Sequence, residues 1–236
     1  MIKNILFDLD GTLLPMDQDI FVEAYMRSLS AHMLPYGYDP NALVKSIWGG
    51  TAAMVKNDGS MSNEAVFWNF FAGIFGEEAK NDEPKFEEYY RTGFSAVKKA
   101  CGFLPQAKTT IERLKKEGFC LILATNPIFP PIATNQRVEW AGLSVEDFEL
   151  ITTYDNSRFC KPNLQYYREI FEKLDLNPEE CLMVGNDVGE DMIAKSLGCK
   201  VFLMTDCLIN KANEDFSFYP QGDFEALLQY ITRSAQ

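Results

Sequence analysis

The most constraining feature of the sequence is an alternation of short apolar runs with amphipathic segments. The apolar runs have the length of strands and are followed by polar residues or glycine; they occupy residues 2–7, 119–124, 148–153, 181–184 and 200–204. Segments with helical spacing lie between or after them, at residues 109–117, 131–142, 163–174, 190–197 and 223–232. This alternation predicts a parallel sheet covered by helices on both faces, which right-handed crossovers make a doubly wound α/β domain.

One long segment, residues 16–100, interrupts the alternation. It is rich in aromatic residues and contains no strand-like run, so we expect four or five helices there. The sequence therefore predicts a core domain made of residues 1–15 and 101–236, with an inserted helical domain at 16–100. Hinges are expected near residues 14–17 and 100–105. We interpret the aromatic stripe at 67–75 as the core of the insert, with a ligand cage as the alternative.

A short motif inside the insert, Trp48-Gly49-Gly50, has two interpretations. It could mark the end of a helix, or it could form a flexible loop that contacts a substrate. The sequence alone does not separate these alternatives.

The charge of the chain excludes several classes of partner. Lys and Arg number 22 and Asp and Glu number 34, which gives a net charge of −12. A field of this sign repels nucleic acid and anionic membranes, and no basic run offsets it. A phosphorylated metabolite remains a possible ligand, provided that a metal or a few well-placed cations receive it.

The cysteine and histidine content argues against a zinc protein and for a reducing compartment. There is one histidine, His32, and none of the six cysteines forms a CxxC pair. Only seven residues precede Asp8, no signal peptide is recognisable, and no stretch approaches the roughly 20 apolar residues of a membrane span. We therefore expect a cytoplasmic protein that is a monomer or a weak dimer.

Polar residues follow the predicted strands, where ligands bind in doubly wound folds. Asp8, Asp10 and Asp187 would converge there, and each pair of like charges at 4 Å costs roughly 4 kcal/mol at an effective dielectric constant near 20. Carboxylate oxygens without His or Cys suit Mg²⁺, which takes about six oxygen ligands. The candidate residues at this edge are Asp8, Asp10, Thr125, Asn126, Lys161, Asp187 and Asp191.

These motifs together resemble the haloacid dehalogenase superfamily, and within it the aspartyl phosphatases with a helical cap. The resemblance rests on DLDGTLL at 8–14, on Thr125-Asn126, on Lys161 before Pro162, and on the segment GNDVGEDM at 185–192. It spans the whole chain, and DLDGTLL is its most specific part. It implies a Rossmann-like core, with residues 16–100 as the cap that covers the site.

The resemblance also implies how a phosphoryl group would be handled. Asp8 would attack it and become an aspartyl phosphate, while Asp10 would act as general acid and then as general base. Thr125 and the backbone of Asn126 would bind the phosphoryl oxygens. Lys161 would offset the negative charge of Asp8 and of the phosphoryl group.

The metal would be Mg²⁺, held by Asp8, the backbone carbonyl of Asp10 and Asp187. Asp191 would steady the site. Asn186 stands at a position that is often acidic in relatives, which leaves the main ligand role with Asp187.

The implied activity is hydrolysis of a small phosphate monoester. A phosphosugar mutase of the β-phosphoglucomutase type is the alternative, since it uses the same aspartyl phosphate. A 2-haloacid dehalogenase is disfavoured because that branch lacks the second aspartate, present here as Asp10. A P-loop kinase is disfavoured because GxxxxGK[ST] is absent. A non-catalytic module would be expected to have lost one of the polar residues above.

Overall fold

The computed structural model describes residues 1–234, and its core is a six-stranded sheet in which every pair of neighbours is parallel. The strand order is β3-β2-β1-β4-β5-β6. This confirms the predicted α/β fold with a doubly wound parallel sheet. The strands are β1 Asn4–Phe7, β2 Cys120–Leu123, β3 Leu150–Ile151, β4 Cys181–Gly185, β5 Lys200–Met204 and β6 Gln221–Gly222.

The register of the three central strands places their carboxyl ends level with one another. Phe7 of β1 pairs with Leu123 of β2 and with Val184 of β4. β1 and β4 are buried along their whole length, which explains their continuous apolar sequences. The residues that follow these strands therefore emerge at one edge of the sheet.

Four α-helices of the core flank the sheet, close to their predicted positions. They are α5 Pro105–Lys116, α6 Pro131–Trp140, α7 Leu164–Leu174 and α8 Phe224–Ser234. The helix expected at 190–197 is instead a 3₁₀ helix, Met192–Leu197, which ends at Gly198 with a φ of 96°. It begins later because residues 187–191 form a turn stabilised by their own side chains.

The named elements between β1 and α5 are all helices, joined by short loops. It contains α1 Gln18–Met33, α2 Pro40–Val55, α3 Asn63–Phe75 and α4 Glu83–Thr92, with 3₁₀ helices at Leu34–Tyr36, Glu77–Asp82 and Phe94–Ala100. The side chains of Asp17, Asp39 and Ser62 accept hydrogen bonds at the starts of α1, α2 and α3. We call residues 16–100 the cap.

The two connections between the cap and the core run side by side. Met16 forms an antiparallel bridge with Cys101, and the amide of Gly102 donates to the carbonyl of Pro15 at 2.7 Å. The division into two domains stays a prediction. An inserted domain requires two connections to the core that lie next to each other, as these two do. None of the helices in residues 1–234 combines the length and apolarity needed to cross a bilayer.

Two glycines allow α2 and α3 to pack closely. Trp48, Gly49 and Gly50 lie in the interior of α2, so both the helix end and the flexible loop considered for this motif are wrong. A Cβ atom on Gly50 would lie 2.6 Å from the ring of Phe67, which is too close for an unshifted contact. The absence of side chains at these positions is therefore a packing requirement.

Gly50→Ala is expected to destabilise the protein by about 1–3 kcal/mol, because the ring of Phe67 must move within a packed interface. The matched control is Gly73→Ala in α3, where a Cβ meets nothing within 4 Å. That substitution should stabilise the protein by about 0.5–1 kcal/mol, since alanine favours the helix. Urea unfolding of both variants measures the difference, and equal shifts would contradict the packing argument.

Candidate active site

Asp8 occupies the centre of the sheet edge, directly after β1. Its amide donates to the carbonyl of Val184 at 2.9 Å, which extends the pairing with β4 by one residue. The chain then turns away at Gly11, whose φ of 89° is accessible mainly to glycine. A Cβ at Gly11 would also collide with the side chain of Asn186. The loop after β1 therefore needs glycine for both conformation and space.

Lys161 is a buried cation that joins two carboxylates. Its Nζ atom lies 2.9 Å from Oδ1 of Asp8 and 2.6 Å from Oδ1 of Asp191. The side chains of Lys161 and Asp191 are each 1% exposed. A buried charge is tolerated when it is paired, so this triad fixes the loops after β1 and β4 and the segment before α7 relative to one another.

The pKa values in this triad follow from burial and from neighbouring charges. Burial is the main cause that raises the pKa of Asp8 to about 7; Lys161 opposes the shift, and Asp191 and Asp10 add to it. Although burial disfavours the charged ammonium, Asp191 and Asp8 raise the pKa of Lys161 well above its ordinary value. Lys161 therefore stays positively charged.

The turn after β4 is shaped by its own side chains. Oδ1 of Asp187 accepts the amides of Gly189 and Glu190 at 2.8 and 3.0 Å, and Oδ2 of Asp191 accepts the amide of Asp187 at 3.0 Å. A Cβ on Gly185 would collide with the carboxylate of Asp191. Oδ1 of Asp187 is therefore hydrogen-bonded within the turn, whereas Oδ2 of Asp187 takes part in none of these hydrogen bonds.

Asn186 faces the loop that carries Asp8. Thr12 donates its hydroxyl to Oδ1 of Asn186 at 3.0 Å and reaches Oδ2 of Asp8 at 3.4 Å. The amide group of Asn186 donates to the carbonyl of Cys207 at 2.6 Å, which orients the amide oxygen toward Thr12. One hydroxyl therefore draws an amide oxygen and a carboxylate oxygen together.

Thr125 and Asn126 follow β2 and connect the other parts of the site. The carbonyl of Thr125 accepts hydrogen bonds from Thr152 at 2.6 Å and from Tyr166 at 2.9 Å. The side chain of Asn126 accepts the amide of Lys161 at 3.2 Å and donates to Glu190 at 3.1 Å. The backbone near Thr125 is thus held at the sheet edge beside Asp8.

Arg137, on α6, pairs with Asp10 and was missed by the sequence analysis. Its guanidinium contacts Oδ2 of Asp10, lies 3.3 Å from the hydroxyl of Thr134 and stands 4.4 Å above the ring centroid of Phe129. Oδ1 of Asp10 has no hydrogen-bond partner among the residues described. The signal was present in the sequence, because Arg137 lies on the helical stripe that includes Ala133 and becomes buried.

Asn63, at the start of α3, ties the cap to the core and was also missed. It is fully buried, and its Nδ2 atom donates to the carbonyl of Pro127 at 3.2 Å and reaches Sγ of Cys160 at 3.3 Å. Its backbone amide donates to Ser157 at 2.9 Å. A cap residue therefore contacts the segments that follow Asn126 and precede Lys161.

A cavity of about 640 Å³ opens above these residues, between the sheet edge and all four cap helices. Its end at the sheet edge is acidic, since the carboxyl groups there outnumber the two buried cations, Lys161 and Arg137. Seven of the predicted or adjacent site residues line it: Asp8, Asp10, Thr125, Asn126, Asn186, Asp187 and Asp191. Lys161 reaches the site through its contact with Asp8.

The donor atoms of this end suit a hard divalent cation. Within residues 1–234, no three His, Cys, Asp or Glu side chains lie close enough to form a metal site by themselves. A site here must therefore include neutral oxygens, and the amide oxygen of Asn186 is well placed beside Asp8. The excess of carboxylates also favours a cation at this point.

Comparison with known proteins gives a consistent result. A family model described as haloacid dehalogenase-like hydrolase matches residues 2–206. The phosphoglycolate phosphatase of Vibrio cholerae is 30% identical over 207 residues, covering 86% of this chain and 84% of the relative. The pyrophosphatase PpaX of Bacillus cereus is 24% identical over 243 residues, covering 99% of both chains.

Among solved structures, a 2-haloacid dehalogenase from Pseudomonas syringae aligns over 99% of both chains, with a TM-score of 0.65 and 21% identity. At this level of identity the likeness concerns the fold.

The metal-free protein is expected to lose stability as the pH rises from about 5 to 8. Folded Asp8 keeps its proton up to about pH 7, whereas the unfolded chain releases it near pH 4. The folded state therefore binds more protons between these values, and rising pH favours unfolding. Urea unfolding in EDTA should show that the wild type loses about 2 kcal/mol relative to Asp8→Asn over this range. Parallel pH profiles for the two proteins would contradict the raised pKa.

Proposed function

The chain belongs to the haloacid dehalogenase-like hydrolases, as its motifs predicted, and we propose that it is a Mg²⁺-dependent phosphatase that hydrolyses a small phosphate monoester. The observation that carries the proposal is the position of Asp8, a buried carboxylate at the sheet edge that is paired with Lys161 at 2.9 Å and opens into the cavity. Relatives named as a phosphoglycolate phosphatase and a pyrophosphatase support phosphoryl chemistry in this branch.

In the proposed reaction, a carboxylate oxygen of Asp8 bonds to phosphorus while the bond from phosphorus to the alcohol oxygen breaks. Asp10 gives its proton to the departing alcohol. Asp10 then takes a proton from water, which attacks the aspartyl phosphate and releases inorganic phosphate. Asp8 is regenerated and no other reactant is consumed.

The cations and amides of the site would stabilise the negative charge of the phosphoryl group. Lys161 stays charged beside Asp8 and would bind a phosphoryl oxygen. The hydroxyl of Thr125 and the backbone amide of Asn126 would bind the others. Arg137 would position the side chain of Asp10 near the departing alcohol, since it contacts Asp10 in the free protein.

Mg²⁺ would be held by Asp8, the backbone carbonyl of Asp10, the amide oxygen of Asn186 and the free carboxylate oxygen of Asp187. When bound, it would neutralise charge on the phosphoryl oxygens and favour the ionised form of Asp8. Asp191 would act indirectly, by orienting Lys161 and the turn that begins at Asp187.

Hydrolysis is favoured over a phosphosugar mutase by the cavity itself. The cap side is lined mainly by aromatic and aliphatic side chains such as Phe67, Trp68 and Ile47. Such a surface presents more apolar than polar area to the hydroxyls of a sugar that must bind in two orientations. A small phosphorylated metabolite with an apolar alcohol part fits it better.

The six cysteines are all unpaired, which is what a reducing compartment would produce. We therefore propose a cytoplasmic location. The net charge of −12 argues against nucleic acid and anionic membranes as partners. We further propose that the enzyme acts as a monomer or weak dimer.

Asp8→Asn should abolish turnover of p-nitrophenyl phosphate with Mg²⁺, with a fall in kcat of about a thousandfold or more, because the amide cannot act as the nucleophile. EDTA should abolish the activity of the wild type as well. A panel with phosphoglycolate, hexose phosphates and nucleoside monophosphates would begin to define the substrate.

A matched control is Asp175→Asn, which makes the same chemical change at an exposed position outside the cavity. Asp175 has a φ of 52°, a conformation that asparagine tolerates well. The proposal fails if folded Asp8→Asn keeps substantial activity, or if the wild type hydrolyses none of the esters.

Asn186→Asp should tighten Mg²⁺ binding by about tenfold, because it adds a negative charge beside Asp8. It should also destabilise the metal-free protein, since the hydrogen bond to the carbonyl of Cys207 is lost. Calorimetric titration with Mg²⁺ measures the affinity, with Asp187→Asn for comparison. If Asn186→Asp leaves the affinity unchanged and Asp187→Asn removes it, Asp187 alone carries the role assigned to this loop.

A further inference from the structure

The wall that the cap contributes to the cavity points to the chemistry of the substrate. We propose that the enzyme acts on the phosphate monoester of an apolar alcohol that carries a positively charged amine, and that Glu83 recognises the amine. This inference rests on the proposed phosphatase function and adds the class of substrate.

The first observation is that the cap presents an aromatic wall to the cavity. Five aromatic rings of the cap line the cavity and are buried. They pack against other aromatic rings, so their positions are fixed. Such rings bind apolar groups and attract cations to their faces. They are Tyr25, Phe67, Trp68, Phe86 and Tyr90.

The second observation is the sign of the charges on this wall. The ionisable cap residues that line the cavity, other than tyrosines, are all acidic: Asp19, Glu23, Glu83 and Glu87. Lys211, which belongs to the core, is the one lining cation among the residues described, and its charge acts on Glu190 at the sheet edge. An alcohol part with a carboxylate would therefore meet negative charges and no compensating cation from the cap.

Glu83 differs from the other acids of this wall. Glu23 and Glu87 are paired with Arg27 and Arg91. Asp19 and Glu83 make no salt bridge among residues 1–234, and of these two Asp19 is exposed to solvent. Glu83 is half-buried, and burial raises its pKa, with the charge of Glu87 adding to the shift.

A half-buried carboxylate without a partner is unfavourable, and an ammonium group from a ligand would offset that cost. Glu83 is also close enough to Tyr154, another lining residue, to act on its pKa. The carboxylate and the rings therefore form a combined site for a cation in the same cavity that Asp8 lines.

The test compares three esters that share a short carbon tether and differ in charge. Phosphocholine carries a quaternary ammonium, 3,3-dimethylbutyl phosphate has the same shape without the charge, and phosphoglycolate carries a carboxylate. With Mg²⁺ present, kcat/KM should be about tenfold higher for phosphocholine than for the neutral ester. Phosphoglycolate should be the poorest of the three.

The variant Glu83→Gln removes the charge and keeps the shape of the side chain. It should lower the preference for phosphocholine over the neutral ester by about fivefold, mainly through KM. The matched control is Glu88→Gln, on the same helix at an exposed position outside the cavity, where the carboxylate bonds to Tyr36. This control should leave the preference unchanged.

Equal kcat/KM for phosphocholine and the neutral ester would overturn the inference, and so would a preference for phosphoglycolate. Hydrolysis of p-nitrophenyl phosphate by the same preparation distinguishes a failure of the proposed substrate class from a failure of the proposed phosphatase function. If that ester is hydrolysed and the ranking fails, only the substrate class is wrong. If no ester is hydrolysed, the phosphatase function fails with it.

Discussion

The ammonium group of Lys161 is the point on which the arrangement of the site depends. It is almost completely buried and touches the carboxylates of Asp8 and Asp191, which come from loops after β1 and β4. Removing the ammonium group would leave two uncompensated carboxyl groups beside each other inside the protein. The three loops therefore hold one another in place through electrostatics, at a position where the apolar core has already ended.

Backbone geometry sets how closely these charged groups can approach. Gly11 and Gly185 each lie against a polar side chain, so that a Cβ at either position would displace Asn186 or Asp191. The sheet brings the loop ends to one level, because β1 and β4 end together. Polar contacts then decide which oxygens face the cavity, and Asn186 rather than Asp187 has its oxygen turned toward the loop of Asp8.

The sequence was sufficient for the elements that depend on local pattern. Five strands and the helical insert follow from apolar runs and helical spacing, whereas β6 has two residues and no apolar run to reveal it. Arg137 and Asn63 escaped prediction because their partners are distant in sequence: Asp10 is 127 residues from Arg137, and Cys160 is 97 residues from Asn63. Contacts of this kind depend on how the finished elements pack, which a single sequence does not encode locally.

The aromatic residues of the cap form its core and also line the cavity, so the ligand cage considered for the stripe at 67–75 stays a prediction. Phe86 packs against Phe71 in the core of the cap and also lines the cavity, so stability and substrate fit share the same ring. Changing such a ring alters both properties at once. Glu83 has no comparable packing role, because it begins α4 at the half-buried edge of the cavity. A substitution at Glu83 can therefore change the preference for a charged substrate without disturbing the aromatic core that shapes the cavity.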